Sequence, residues 1–134
     1  SIIFALKKMG AKKIILSNRT KEKAESLKNL FSDIEIIEWG KLVNFDMIIN
    51  ATSIGLRESD KINLEFSNVG ENKFFYDVIY NPTTTNFLSI GKKLGNKTEN
   101  GKFMFIYQAL AAFKIWHGVE PKINDEVIKI LGND

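Results

Sequence analysis

The first residues with chemical potential follow a short apolar run at positions 13–17 and carry positive charge. The run continues into Asn18, Arg19 and Thr20, with Lys23 one helical turn further along. Arginine grips a phosphate through two parallel hydrogen bonds, and the start of a helix adds backbone N–H donors. One interpretation is a site for the 2′-phosphate of NADP, since an NAD site usually carries an acidic residue here. A helix cap with an exposed basic face explains the same residues equally well.

Further polar residues follow later apolar runs. Thr52 comes shortly after the run at 47–49, and small polar residues at the carboxyl end of a central parallel strand lie where ligands bind in such sheets. Gln108 shares a helix face with Met104 behind a glycine turn, so it could point into a ligand cleft. Taken alone, Thr52 is better explained as part of an ordinary turn than as a ligand contact, and Gln108 is better explained as a surface residue of a helix.

Short apolar runs alternate with helical periodicity, and this alternation predicts the elements that hold the candidate residues. We expect helices over 2–9, 21–31, 85–94 and from 103 to Gly118, a last short helix marked by Val127, Ile128 and Leu131, and strands over 13–17, 34–37, 47–49 and 74–78. The polar, aperiodic stretch 57–72 is expected to be a loop. The pattern favours an α/β fold, a Rossmann-like parallel sheet flanked by helices.

We expect this sheet to form a single domain over residues 1–134 that is truncated at its N-terminal edge. The chain starts directly with a predicted helix, which begins at residue 2. A doubly wound sheet normally places a strand and a tight glycine turn before that helix.

Composition limits the remaining function classes. Hydrophobic residues make up 44% and charged residues 26%, a balance typical of a soluble globular domain. There is no cysteine and one histidine, so disulfides, cysteine nucleophiles and a metal site are not expected. The net charge is +3, but lysines alternate with glutamates, as over 21–25, without a basic stripe. Without a basic stripe, we expect no nucleic-acid partner. With no apolar run of ~18 residues, we expect no membrane partner. We also expect a cytoplasmic location.

The order and spacing of the motifs are more specific than any single motif. Asn-Arg-Thr at 18–20 is followed by Asn-Ala-Thr-Ser-x-Gly at 50–55, Asp-x-x-Tyr-x-Pro-x-x-Thr at 77–85, Asn-Gly-x-x-Met-x-x-x-Gln-Ala at 100–109 and Phe-x-x-Trp-x-Gly at 113–118. This series resembles the shikimate dehydrogenase family over nearly the whole chain. The resemblance implies that the full-length parent is an NADP-dependent oxidoreductase of aromatic amino acid biosynthesis. That enzyme would reversibly reduce 3-dehydroshikimate to shikimate.

The resemblance also implies roles for individual residues. The adenosine 2′-phosphate would be bound by Asn18, Arg19, Thr20 and Lys23, and the nicotinamide end would be contacted by Thr52, Val78 and Gly101. The family usually has arginine where this chain has Lys23, which keeps the charge but loses the planar fork. Tyr80 and Gln108 would hydrogen-bond the substrate from the cofactor side and position it for hydride transfer.

Other parts of the family pattern are not found in this chain. The glycine-rich phosphate loop would lie just before Ser1, and the catalytic lysine and aspartate would lie in a substrate domain further upstream. The substrate would then bind together with that missing N-terminal domain, and no residue here is assigned a catalytic role. Phe103 is bulkier than the family's usual residues and would lie close to the nicotinamide.

Two other functions stay open from the sequence, as does the oligomeric state. A stand-alone dinucleotide-binding module would sense NADP without catalysis. A glycine-rich turn and a lysine-bearing domain upstream would favour the enzyme instead. A related oxidoreductase would act on quinate with NAD. The basic residues Arg19 and Lys23 argue against that hypothesis, because NAD has no phosphate at this position.

Overall fold

The computed structural model describes residues 1–130, and the expected contribution of Leu131 to the last helix lies outside them. The chain separates into two compact units. Unit 1 comprises residues 1–43 and 63–65, and unit 2 comprises residues 44–62 and the chain from Phe66 onward. The single domain over residues 1–134 stays a prediction.

Unit 1 alternates helix and strand around a two-stranded parallel sheet. Its elements are α1 (Ile2–Lys8), β1 (Ile15–Ser17), α2 (Lys21–Leu30) and β2 (Glu35–Ile37). β1 and β2 are in register with Ile15 opposite Glu35 and Ser17 opposite Ile37. Helix α2 connects the two strands, packs against β2 and buries Ala24, as a crossover between parallel strands requires. The carboxyl end of β1 therefore leads directly into the start of α2.

Unit 2 contains a three-stranded parallel sheet with strand order β3-β4-β5. Its elements are β3 (Met47–Asn50), β4 (Phe74–Asp77), α3 (Asn86–Lys93), β5 (Lys97–Glu99), α4 (Lys102–His117) and α5 (Asp125–Ile130). Asn50 lies opposite Asp77, and Tyr76 lies opposite Glu99. The three strands therefore end at one edge of the sheet, which we call the carboxyl edge. Ligands of open α/β sheets bind at such edges.

Aromatic side chains form the core of unit 2. The buried rings of Phe75 and Phe87 have centroids 5.2 Å apart, and the ring of Phe66 lies 5.7 Å from that of Phe75. Helix α3 packs against β4 and β5. It approaches closely because Gly91 faces Phe75, where a Cβ would come within 2.6 Å of the ring. This packing fixes α3, and with it the loop that leaves the carboxyl edge after β4.

Parallel strands with flanking helices confirm the predicted α/β class, and the helices and strands that were predicted begin and end within one or two residues of expectation. Strand β5 was not predicted, because Lys97-Thr98-Glu99 contains no apolar run; it forms by pairing with β4. The stretch 57–72 consists of turns and irregular chain, as expected. Gly118 ends α4 with φ 68°, a conformation that glycine adopts without steric cost.

Candidate functional site

The turn between β1 and α2 is held by a side-chain hydrogen bond. Asn18 Oδ1 accepts from the backbone N–H of Thr20 at 3.0 Å, which bends the chain from strand into helix. Thr20 occupies the N-cap position as expected, but its side chain makes no capping hydrogen bond. The first backbone N–H groups of α2 therefore receive no hydrogen bond from the Thr20 side chain. An anion bound at the start of the helix could accept hydrogen bonds from them.

Arg19 and Lys23 present two cations at this turn. Both residues are exposed, and neither forms an ion pair with any other residue between 1 and 130. Lys21 differs, since its ammonium group lies 3.7 Å from the Glu25 carboxylate. We call residues 18–23 the basic turn. A phosphate at the start of α2 would meet a bidentate donor, a point charge and backbone N–H groups.

Gly101 is packed against the backbone of Val78 in unit 2. A Cβ at position 101 would lie 2.0 Å from the Val78 carbonyl oxygen. Gly101 N also donates to the carbonyl oxygen of Ile79 at 3.1 Å, and Val78 N donates to that of Asn50 at 3.0 Å. Two of the residues expected at the nicotinamide end, Val78 and Gly101, are thus in direct contact at the carboxyl edge.

A buried polar network, which was not predicted, joins the ends of β3 and β4. Asp77 is 0% exposed and Asn50 is 3% exposed. Asn50 Nδ2 donates to the two Asp77 carboxylate oxygens at 3.1 and 3.2 Å. The carboxylate also accepts from Ile79 N at 3.0 Å and from Thr85 Oγ1 at 2.6 Å. The clue in the sequence is an aspartate inside the apolar run 74–78, because buried charges need several hydrogen bonds.

The network extends from Asn50 to Thr52. Asn50 Oδ1 accepts from the backbone N–H of Thr52 at 3.1 Å and from its hydroxyl at 2.7 Å. The same hydroxyl oxygen accepts from Ile54 N at 3.1 Å. Thr52 is half-buried. The network therefore holds this candidate residue in one orientation at the carboxyl edge.

Asp60 holds the loop that follows Thr52. Its Oδ2 accepts from the backbone N–H groups of Gly55 at 3.1 Å and Arg57 at 3.2 Å. These two hydrogen bonds stabilise the charged form and hold the pKa of Asp60 below its ordinary value of 3.8. The loop encloses an open cavity of about 520 Å³ lined by Ser53, Ile54, Leu56, Arg57, Ser59, Asp60 and Lys61. This lining, which contains three charged side chains, suits water or a polar group.

Tyr80 contacts helix α4 through ring stacking. The rings of Tyr80 and Phe105 have centroids 4.6 Å apart and planes inclined by 22°. Gln108 is exposed and follows Phe105 by three residues on α4, so the two side chains share a helix face. The two expected substrate contacts, Tyr80 and Gln108, are therefore both associated with one face of α4.

Helix α4 is apolar yet largely exposed. Phe103, in its first turn, is 44% exposed, so this ring does not belong to the core. Ile115 is 81% exposed and Trp116 is 76% exposed, whereas Ile106 is the helix's buried residue. A helix that is hydrophobic on all sides is normally buried. The surface of α4 is of the kind that another part of a protein covers.

The candidate residues divide between the two units. Unit 1 holds Asn18, Arg19, Thr20 and Lys23, and unit 2 holds Thr52, Val78, Tyr80, Gly101 and Gln108. Their roles toward a ligand stay predictions. Among the described residues, no three His, Cys, Asp or Glu side chains gather as a metal site. No helix within residues 1–130 has the length and apolarity needed to cross a membrane.

The amino-acid sequence is similar to sequences of shikimate dehydrogenases. Residues 104–125 match the model of the shikimate 5′-dehydrogenase C-terminal domain. The shikimate dehydrogenase (NADP(+)) of Pelagibacter ubique is 59% identical over 131 residues, which are 98% of this chain and 49% of that protein. The chain spans about half the length of the curated relatives it matches.

Solved structures show the same similarity. The shikimate dehydrogenase of Aquifex aeolicus superposes with a TM-score of 0.80 at 33% identity, covering 99% of this chain and 48% of that one. The shikimate 5-dehydrogenase of Thermus thermophilus, in complex with NADP(H) and shikimate, gives a TM-score of 0.79 at 28% identity. That match covers 96% of this chain and 48% of the Thermus chain.

Proposed function

We propose that the chain belongs to the shikimate dehydrogenase family and forms the NADP-binding half of an enzyme that interconverts 3-dehydroshikimate and shikimate. The observation that carries the proposal is the basic turn, where Arg19 is exposed at the start of α2 without an ion-pair partner in residues 1–130. In the direction of reduction, NADPH would donate a hydride to the substrate carbonyl carbon. The proposed compartment is the cytoplasm, in line with a sequence that contains no cysteine.

The basic turn would bind the adenosine 2′-phosphate. Arg19 would supply paired hydrogen bonds, and Lys23 would add charge from the next helical turn. Asn18 would act mainly on the backbone, because its side chain accepts from Thr20 N and fixes the path of the turn. Thr20 would contribute the hydroxyl that makes no capping hydrogen bond. An NAD-specific protein would gain nothing from two exposed cations at this position.

The carboxyl edge of unit 2 would receive the nicotinamide end. The contact between Gly101 and the Val78 backbone leaves no room for a side chain at position 101. Close backbone approach of this kind is one way in which proteins accommodate a flat ring. Thr52 would add a hydroxyl oxygen whose direction is set by Asn50.

Tyr80 and Gln108 would orient the substrate. Tyr80 is held by the stacked ring of Phe105, so its hydroxyl has a restricted set of directions. Gln108 offers both a donor and an acceptor on the same helix face. Such groups position a polyhydroxylated acid for hydride transfer, and they are not needed to exchange protons with it.

The other half of such an enzyme would supply the proton and cover α4. Reduction of a ketone requires a proton donor beside the carbonyl oxygen. The carboxylate of Asp77 does not suit this task, because it is fully buried and accepts hydrogen bonds from three residues. The exposed apolar residues of α4, such as Ile115 and Trp116, support a partner domain on that helix.

Steady-state assays of the full-length protein test this proposal. We expect NADPH to be oxidised when 3-dehydroshikimate is added, with little reaction between quinate and NAD. Residues 1–134 expressed alone should show no turnover, since the proton donor would be absent. Binding of NADP without turnover of either substrate by the full-length protein would favour the stand-alone module. A reaction restricted to quinate and NAD would contradict the proposal.

A further inference from the structure

The buried carboxylate of Asp77 determines which way the Asn50 amide points. An ionised carboxylate only accepts hydrogen bonds, so the group facing it must be a donor. Asn50 Nδ2 meets that requirement and also donates to the Ile54 carbonyl oxygen at 2.9 Å. Both amide hydrogens are then used. The Asn50 carbonyl oxygen is consequently directed at Thr52, where it accepts two hydrogen bonds.

Thr52 is left with a defined hydrogen-bonding capacity as a result. Its hydroxyl proton points to Asn50 Oδ1 at 2.7 Å, so this hydroxyl has no proton to offer a ligand. Of the two lone pairs on its oxygen, one accepts from Ile54 N at 3.1 Å. The remaining lone pair can accept from a ligand N–H, such as the amide group of a nicotinamide carboxamide.

We propose that Asp77 is a positioning residue that acts through Asn50 and fixes Thr52 as a hydrogen-bond acceptor for the nicotinamide end of the cofactor. This inference rests on the proposed function, because it needs a nicotinamide at the carboxyl edge. Asp77 is fully buried and would itself touch neither cofactor nor substrate. Its effect is confined to the orientation of one amide and one hydroxyl.

The test compares two ligands of the full-length protein by titration calorimetry. NADP reports on both ends of the cofactor, and adenosine 2′,5′-bisphosphate reports on the adenosine end alone. Asp77→Asn keeps the shape but removes the requirement that Asn50 face it with its amide hydrogens. We expect NADP to bind roughly tenfold more weakly and the bisphosphate to bind as before, since one oriented hydrogen bond is lost.

Thr85→Val is the matched control. Thr85 Oγ1 donates to the same carboxylate at 2.6 Å and also caps α3 by accepting from Leu88 N at 3.3 Å, but it makes no hydrogen bond with Asn50. This variant should lose stability in a thermal melt and still bind NADP normally.

Thr52→Ala should weaken NADP binding as Asp77→Asn does, and combining the two substitutions should add little further loss. If Asp77→Asn does not fold, Asn50→Ser removes the amide that connects Asp77 to Thr52 and should weaken NADP binding by the same factor.

Several outcomes separate the possibilities. Equal weakening of NADP by Asp77→Asn and Thr85→Val would overturn the inference, because Asp77 would then be only structural. Unchanged NADP binding in Thr52→Ala would overturn it as well, as would parallel weakening of the bisphosphate. Failure of the unaltered protein to bind NADP would instead contradict the proposed function itself.

Discussion

The basic turn of unit 1 and the carboxyl edge of unit 2 prepare their polar groups in opposite ways. At the basic turn, Arg19 and Lys23 are exposed and have no ion-pair partners among residues 1–130. At the carboxyl edge, Asp77 and Asn50 are buried, and every buried side-chain nitrogen and oxygen in the described part of the chain has a hydrogen-bond partner. Under the proposed function, exposed surface charges would bind the phosphate at the basic turn, whereas buried hydrogen bonds would hold the groups that place the nicotinamide ring at the carboxyl edge.

This difference predicts different consequences for substitutions. Under the proposed function, side chains of the basic turn would lose rotamer freedom only when the phosphate binds, and their attraction to it would weaken as salt rises. Substitutions there should change affinity and leave the free energy of unfolding nearly unchanged. Groups at the carboxyl edge are ordered during folding, so substitutions there should change stability or geometry first.

The largest expected effect is that of Gly101→Ala at the carboxyl edge. A Cβ would lie 2.0 Å from the Val78 carbonyl oxygen, which is backbone and cannot move without disturbing β4. We expect the free energy of unfolding, measured by denaturant titration, to fall by at least about 3 kcal/mol. Gly70→Ala is the control, since a Cβ at position 70 meets nothing within 4 Å. Similar losses in both variants would show that the close approach is not important.

The next effect concerns the ring stack that holds Tyr80. Phe105→Leu removes a stacked ring whose centroid lies 4.6 Å away. Aromatic pairs contribute about 0.5–1.5 kcal/mol, so the KM for shikimate should rise about twofold to tenfold while that for NADP stays constant. Tyr80→Phe keeps the stack but loses the hydroxyl. If Phe105→Leu raised the KM equally in the Tyr80→Phe background, Phe105 would not act by orienting that hydroxyl.

A smaller effect is expected for Lys23 in the basic turn. Lys23→Ala should weaken NADP about twofold to fivefold at low salt, because exposed charge pairs contribute about 0.2–1 kcal/mol. The loss should shrink as salt is raised, since screening removes the contribution in the unaltered protein too. Lys28→Ala, in the last turn of the same helix, is the control and should bind NADP normally. An undiminished loss in high salt would argue that Lys23 acts on the fold.

The smallest effect is a pH dependence at the loop after Thr52. The pKa of Asp60 is lowered below 3.8 by the backbone N–H groups of Gly55 and Arg57. The contribution of Asp60 to stability is therefore present at pH values above its pKa in the unfolded protein. It is lost as the pH falls through the lower pKa of the folded protein. Asp60→Asn should lower the melting temperature slightly at neutral pH. The melting temperatures of the two proteins should begin to converge as the pH falls below about 3.8 and should coincide below the folded pKa, and a difference that persists there would be inconsistent with this role.

Much of the fold could be predicted from patterns within short stretches of the sequence. The turn at Asn18 and Thr20 combines a short amide with a helix start, and both features act over two or three residues. The apolar runs at β3 and β4 likewise indicate strands within four or five residues of sequence. Strand β5 was not predicted because its residues are polar, and their strand conformation depends on pairing with Phe74, Phe75 and Tyr76.

Long-range contacts account for the features of the site that were missed. Asn50 and Asp77 are 27 residues apart, and an aspartate in an apolar run indicates a buried, hydrogen-bonded carboxylate without indicating which side chain donates to it. The stack between Tyr80 and Phe105 depends on how α4 returns to the carboxyl edge. The sequence also does not indicate what covers the exposed rings of α4, because apolar residues in a helix indicate burial without identifying the surface that packs on them.

Replacement of Arg19 by alanine in the full-length protein separates binding of the 2′-phosphate at the basic turn from support of the fold. Charge-assisted hydrogen bonds contribute roughly 1.5–3 kcal/mol, so the apparent constant for NADP should rise by one to two orders of magnitude. The constant for NAD, which lacks the 2′-phosphate, should stay nearly unchanged. Steady-state kinetics with each cofactor measure both values. Equal weakening of NADP and NAD by Arg19→Ala would contradict a phosphate site at the basic turn, because Arg19 would then support the fold rather than bind the phosphate.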